Sequence, residues 1–260
     1  MNLLFQKNSI SELKQLANAD RHSVLIEGSI GCGKSHLAKQ YAKELNISDV
    51  IFVQPNVQDI REAMDHSIDF TNPILFCIEN LDLGVLSASY TLLLFLEEPK
   101  TNVYIVVTCR NRYDIPDTII SRCTCVSVGQ PVPSDINTYA NSIDSSKYTA
   151  LQGEPVWKGV NTLYDVDYVY KLNKAQIDYF KNLKSEFKLT DSVSNLLWKL
   201  GHYPDNSETD IRFVMNYLMN TMRNTRIRKY IIQCVSDLSS SRIAQHATLA
   251  KFLFNVKYGD

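Results

Sequence analysis

The first half of the chain alternates short apolar runs with amphipathic stretches. Ser23–Glu27 is an apolar, partly β-branched run, and Lys34 to about Leu45 has helical spacing. Val50–Val53 is a second short run, and Val57–Ser67 places Ile60, Met64 and Ser67 on one helical face among charged residues. Pro73–Ile78 and Val103–Thr108 are continuous apolar runs, the pattern of strands covered on both faces. Leu86–Leu96 between them is Leu-rich and of helical length, and Thr124–Val128 reads as an edge-like strand. Ser9-Ile-Ser-Glu12 reads as a capping box opening a short helix to about Ala17. Strands alternating with helices at this spacing predict a parallel α/β sheet.

The pattern changes at Gly129-Gln-Pro-Val-Pro133, a turn-rich hinge. Ser134 to Tyr170 holds short helical pieces punctuated by Gly153, Pro155 and Gly159. Helical periodicity then runs through about Lys174–Glu186, Asp191–Leu200, Ser207–Met222, Arg226–Leu238 and Ser241–Val256. Three blocks follow: 1–130, 131–170 and 171–260. Two stripes in the last block have packing spacing: Ile211, Val214, Met215, Leu218 and Met222, and Ile243, Ala247, Ala250 and Phe254.

Composition adds limits. Of 260 residues, 45% are hydrophobic and 21% charged, enough apolar material for a sizeable core and too much for a disordered chain. Lys plus Arg is 27 and Asp plus Glu is 28, a net charge of −1. That excludes a globally basic nucleic-acid binder and leaves a local basic surface open. No run approaches the ~18 apolar residues of a membrane span, and the amino terminus lacks the signal-peptide pattern. The six cysteines are scattered and lie mostly inside apolar runs, so reduced thiols in a cytoplasmic setting are expected.

The strongest chemical signal is Gly28-Ser29-Ile30-Gly31-Cys32-Gly33-Lys34-Ser35, a match to G-x-x-x-x-G-K-[ST] between a predicted strand and a predicted helix. Its glycines let backbone N–H groups converge on a phosphate, and the helix that follows, with His36 in its first turn, turns its positive end to the same anion. Lys34 can reach the β- and γ-phosphates, and the Ser35 hydroxyl can ligate Mg²⁺. The expected ligands are ATP and Mg²⁺.

A P-loop ATPase also needs carboxylates at the end of a neighbouring strand. Ile74–Ile78 supplies that strand, and Glu79 after it is the expected partner of Mg²⁺ through a coordinated water. Asn80 stands where a base would, and cannot take a proton from water. Asp82 is either an alternative base or a helix N-cap.

Three blocks carry a resemblance: Glu79-Asn-Leu-Asp82, then Leu92-Leu-Leu-Phe-Leu-Glu97-Glu98-Pro99, then Ser121-Arg122-Cys123. Together they resemble the AAA+ module of sliding-clamp loaders, most of all the delta-prime subunit of bacterial DNA polymerase III. Val57-Gln-Asp-Ile-Arg-Glu62 is similar to the Ile-Arg-Glu segment of that family. The match covers about residues 22–130. The resemblance implies an α/β P-loop (AAA+) module at 1–130, a small helical lid at 131–170 and an all-α collar at 171–260. It implies an ATPase that loads a sliding clamp onto primer–template DNA within a homo- or hetero-oligomer, a pentamer, with no membrane. By the same resemblance Arg122 is an arginine finger acting in trans, and sensor 1 falls on Arg110 with Asn111 adjacent. The economy of length suits a minimal system such as a bacteriophage's.

The chain also departs from that pattern. The family's ATPase subunits have Asp-Glu where this chain has Glu79-Asn80, and the zinc module of many bacterial loaders is missing. Gly153-Glu-Pro155 is similar to the turn before the sensor 2 helix, but no sensor Arg follows; Lys158 is the substitute candidate. Two alternatives stay open: a nucleotide-binding stator that does not hydrolyse ATP, and a loader of another replication protein such as a helicase. Arg61, Arg110 and Arg112 are candidate DNA contacts. The cluster Arg223, Arg226, Arg228 and Lys229 lies at a helix junction, either as a nucleic-acid patch or as cations at a helix C-terminus, where the dipole favours them.

Overall fold

In the computed structural model, five strands form one parallel sheet. They are β1 (Ser23–Glu27), β2 (Asp49–Val53), β3 (Ile74–Ile78), β4 (Val103–Cys109) and β5 (Thr124–Ser127), in the order β2-β3-β4-β1-β5. The structure describes residues 6–67, 72–97, 100–187, 191–205, 207–240 and 245–258. The chain divides into two units, Met1–Asp135 and Ile136–Asp260.

Alternation along the strands builds two apolar layers. Leu25, Phe76, Ile78, Ile105 and Val107 face one side, where α3 (Val57–His66), α4 (Leu86–Glu97) and α5 (Asp117–Ile120) cover them. Val24, Ile26, Leu75, Cys77 and Val106 face the other, under α1 (Lys7–Asn18) and α2 (Lys34–Glu44). Every residue of β3 and β4 is buried, as continuous apolar runs predict for central strands. The chain leaves β1 for the far edge of the sheet, returns through β3 and β4, and crosses to β5 beyond β1. The carboxyl end of β1 is therefore a topological switch point, where open α/β sheets bind ligands.

The expected capping box at Ser9 does not form. Helix α1 starts earlier, at Lys7, and Ser9 is buried inside it with its hydroxyl donating to the Ser127 carbonyl at 2.8 Å. A tertiary bond to the β5 edge has replaced the local cap.

The second unit is helical: α6 (Pro133–Ile143, which starts at the boundary), α7 (Ser145–Gln152), a 3-10 turn at Pro155–Gly159, α8 (Leu163–Lys171), α9 (Lys174–Glu186), α10 (Val193–Gly201), α11 (Ile211–Thr221), α12 (Thr225–Ser240) and α13 (Gln245–Tyr258). Capping boxes start α8, from Thr162 and Asp165, and α9, from Asn173 and Gln176. Phe180 sits at the middle of an aromatic cluster, with Tyr179, Phe213 and Tyr217 edge-on at 5.1–5.4 Å and Tyr203 at 6.1 Å. Gly159 lies so close to the Phe213 ring that an added Cβ would come within 2.7 Å of it.

The α11 stripe is buried from Ile211 to Leu218, and its last member, Met222, lies past the helix end and is half-buried. The α13 stripe is corrected. Leu249, Phe252, Leu253 and Val256 face the core, Ala247 and Phe254 are exposed, Ala250 is half-buried, and Ile243 lies outside the described residues. Helix α13 is apolar on more than one face, so spacing alone selects the wrong one. The six cysteines are free thiols. Among the described residues no helix is long and apolar enough to cross a membrane.

Candidate nucleotide site

The glycine-rich loop leaves β1 at Gly28, whose N–H bonds the Cys109 carbonyl of β4 at 3.1 Å. An added Cβ at Gly28 would strike Cys32 Sγ at 2.7 Å and Val128 at 3.1 Å, so close packing demands glycine there. Gly31 and Gly33 take left-handed backbone, φ 75° and 90°, and the second is the N-cap of α2. Ser29 and Ile30 are half-buried, Cys32 is buried, and His36 is exposed on the first turn of α2. The Cys32 carbonyl accepts from Gln6 Nε2 at 2.8 Å, tying α1 to the loop.

Lys34 is buried, and its ammonium donates to the carbonyls of Gly28 at 2.8 Å and Ser29 at 3.0 Å. Burial pushes its pKa below the ordinary lysine value. A polyphosphate beside it would supply the counter-charge that burial removes. The Ser35 hydroxyl donates to Glu79 Oε1 at 2.7 Å, so the hydroxyl at the start of α2 and the carboxylate at the end of β3 meet directly. A hard-oxygen pair next to a phosphate cradle fits Mg²⁺, which keeps waters and takes few protein ligands.

Asn80 follows in left-handed backbone, φ 47°, with its N–H donating to Thr108 Oγ1 at 2.8 Å. The Thr108 hydroxyl is buried at the end of β4. Asp82 caps no helix. It lies within the 3-10 turn Leu81–Leu83, whose N-cap is Asn80. Its buried carboxylate accepts from Arg110 through the backbone N–H at 3.2 Å and through Nε at 2.5 Å. Both carboxylate oxygens are thus taken up by Arg110, and this geometry speaks against the base reading for Asp82. Arg110, expected at sensor 1, is the other half of that pair. Asn111 caps the 3-10 turn Arg112–Asp114, accepting from the Tyr113 N–H at 3.2 Å.

Arg122 lies beyond α5 and is about one-third exposed. Its guanidinium donates to Glu97 Oε1 at 2.6 Å and to the Thr118 carbonyl at 2.9 Å. Glu98 and Pro99 of the Leu-Glu-Glu-Pro segment lie outside the described residues. Lys158, the sensor 2 substitute candidate, is exposed, and its carbonyl accepts from Asn220 Nδ2 at 2.7 Å.

Two family models match in overlapping stretches. The one described as DNA polymerase III, delta subunit, matches residues 48–131, from β2 to just past β5. A second, described as Sigma-54 interaction domain, matches residues 4–72, which include the glycine-rich loop. No curated protein matches the chain in sequence. Among solved structures, a DNA polymerase III gamma subunit-related protein of Thermotoga maritima superposes with a TM-score of 0.56 at 14% identity, over 96% of this chain and 98% of that one. The RuvB Holliday junction branch migration motor of the same organism gives 0.54 at 12% identity, over 96% and 83%. This is an AAA+ fold.

Within the AAA+ module, sequence reasoning missed a carboxylate. Glu27 ends β1 beside the P-loop and accepts from Arg112 through the backbone N–H at 2.9 Å and through Nε at 2.7 Å. Ser127 joins it from β5. Burial alone would raise the Glu27 pKa, but the Arg112 and Ser127 contacts outweigh it and lower the net value. The pair joins residues far apart in sequence, and only a β1–β4 neighbourhood could have signalled it. In the helical unit, Arg212 at the start of α11 was also missed. It donates to the buried Asp165 carboxylate at 2.6 Å and lies over the Tyr164 ring, 5.3 Å from its centroid.

Proposed function

We propose that the chain is an ATP-dependent clamp-loader subunit of DNA replication. It binds ATP at residues 28–36 and supplies Arg122 to the nucleotide of a neighbouring subunit. The observation that carries this reading is the meeting of Ser35 and Glu79 at 2.7 Å beside the buried Lys34. The P-loop residues, the helix start and the strand-end carboxylate thus stand together with no residue in an incompatible place. In this reading Ser35 would hold Mg²⁺ directly and Glu79 through water, and the metal would neutralise charge between the β- and γ-phosphates. Lys34 exchanges its two carbonyl partners for phosphate oxygens. Arg122 exchanges Glu97 for a neighbour's γ-phosphate, where a cation in a dry interface stabilises developing charge. The lid is residues 131–170 and the collar 171–260; the partners are other loader subunits in a pentamer, a sliding clamp and primer–template DNA, in the cytoplasm. An exposed apolar stripe on α4, Leu86, Tyr90 and Leu94 at 58–62% exposure, supports assembly with other proteins.

Asn80 favours a second reading, a nucleotide-binding stator. No carboxylate directly follows Glu79, and Asp82 is tied to Arg110. In that form the subunit binds ATP and donates Arg122 but leaves hydrolysis to its partners.

Steady-state ATP hydrolysis with and without primer–template DNA separates the two, beside Lys34→Ala and Asn80→Glu. Turnover stimulated by DNA and abolished by Lys34→Ala supports a motor. Tight ATP binding without turnover, rescued by Asn80→Glu, supports the stator. Absence of ATP binding by the unsubstituted protein sinks both.

A further inference from the structure

The near-zero net charge hides two opposed halves. Residues 1–135 carry 11 Lys and Arg against 16 Asp and Glu, a net of −5. Residues 136–260 carry 16 against 12, a net of +4. In the acidic half, two of the three arginines considered as DNA contacts are engaged: Arg110 with Asp82 and Arg112 with Glu27. The excess of positive charge lies in the helical half.

There it gathers around the start of α12. Residues 223–226, 228 and 229 are all exposed, and all are polar: Arg223, Asn224, Thr225, Arg226, Arg228 and Lys229. Ile227 between them is buried and fixes which way the helix faces. The cluster cannot be explained as cations at a helix C-terminus. Only Arg223 follows the end of α11; Arg226, Arg228 and Lys229 occupy the first turns of α12, where the macrodipole repels a cation. Among the described residues no carboxylate pairs with Arg223, Arg228 or Lys229. The carboxylate of α12, Asp237, stands two turns further on and takes Lys251 at 2.8 Å. The helix end itself is already satisfied, since Asn224 Oδ1 accepts from the N–H groups of Arg226 and Ile227 at 3.0 and 3.2 Å.

Clustered like charges at the repulsive end of a helix disfavour the folded chain, and a polyanion relieves that cost. We propose that Arg223, Arg226, Arg228 and Lys229 form a contact surface for the phosphate backbone of double-stranded DNA. Arg226 and Lys229 are three residues apart on one face, about 5–6 Å between Cβ atoms, so neighbouring phosphates of a strand can be met together. A protein partner would need a dry apolar or aromatic centre, which six exposed polar residues around a buried Ile227 do not offer. Phosphate contacts need none, and they read no sequence. The choice of DNA as the polyanion rests on the loader reading; the surface itself does not.

The test is fluorescence anisotropy of a labelled primer–template duplex with the full chain, without nucleotide, at salt from about 50 to about 200 mM. Four contacts give a slope of log affinity against log salt of about −3.6. The triple variant Arg223→Gln/Arg228→Gln/Lys229→Gln should bind at least about tenfold more weakly at low salt and flatten the slope by about 3. Arg61→Gln, on the acidic half, should change neither. If the triple variant does not fold, Arg228→Gln alone should flatten the slope by about 1. Unchanged affinity and slope in the folded variant overturn the proposal. So does a loss carried by Arg61→Gln, or binding of polyglutamate or phosphatidylserine vesicles through the same residues with none of the duplex. ATP binding without DNA, measured in parallel, keeps the two readings apart. Duplex binding through α12 in a chain that never binds ATP leaves this surface standing and removes the loader.

Discussion

The two halves of this chain reach stable cores by different means. In the sheet half, β-branched strands stack in register and helices cover both faces, so the strand layer of the core belongs to apolar runs visible in the sequence. In the helical half, the core gathers around Phe180 and its aromatic neighbours, drawn from segments spread over tens of residues. The first half spends its polar groups on the carboxyl ends of strands, where Lys34, Ser35, Glu79, Asp82 and Arg110 converge. The second leaves four cations outside, at the start of one helix. Chemistry and charge are thus divided between the halves.

The sharpest way to break that division acts on the sheet half alone. Arg122→Ala should lower DNA-stimulated turnover of an assembled loader by about 10³-fold or more while leaving ATP affinity unchanged. Equal loss of affinity and turnover would place Arg122 in its own subunit's site instead. On the helical side, Phe180→Ala should cost about 3–5 kcal/mol in denaturant unfolding. Gly159→Ala, which forces a methyl against Phe213, should cost about 1–3 kcal/mol. If the halves unfold independently, only one of two transitions will move in each variant. A single shared transition would show that they stand or fall together.

Acid should act on the sheet half through Glu27. Its folded pKa is depressed, so its contribution to stability is present above the unfolded value near 4.5 and is lost as pH falls through the folded value. The pair is partly exposed, so the effect is about 1 kcal/mol or less. Glu27→Gln should lower stability at neutral pH and remove that part of the acid sensitivity, read from unfolding midpoints between about pH 3 and 6. The smallest effect belongs to α12. Lys229→Gln should raise stability by a few tenths of a kcal/mol, because it removes a cation from the positive end of a helix.

How far the sequence was legible follows the same division. The strands and the phosphate loop could be read because local pattern and tertiary role agree there: Ser23–Glu27 is a strand in both, and Lys174–Glu186 is a helix in both. Ser9 misled because its hydroxyl serves β5 rather than its own helix. Asp82 was ambiguous because its partner, Arg110, comes from another strand end. Glu27 with Arg112, and Asp165 with Arg212, were invisible for the same reason. On α13 the periodicity was present but degenerate, and only packing chose the face. At the start of α12 the residue types were plain, and what the structure added was which end of a helix they occupy.

The two carbonyl bonds of Lys34 carry a kinetic consequence. The ammonium is already seated among oxygen atoms of its own loop, so an incoming nucleotide must win a competition rather than fill a gap. Entry becomes a swap of partners around one fixed cation. A ligand ending in a single weak acceptor gains little from the exchange, whereas a chain of charged oxygens can replace one carbonyl while the other still holds. In the proposed function the loop thereby screens its visitors by the number of anionic groups they bring, before any contact with base or sugar is made.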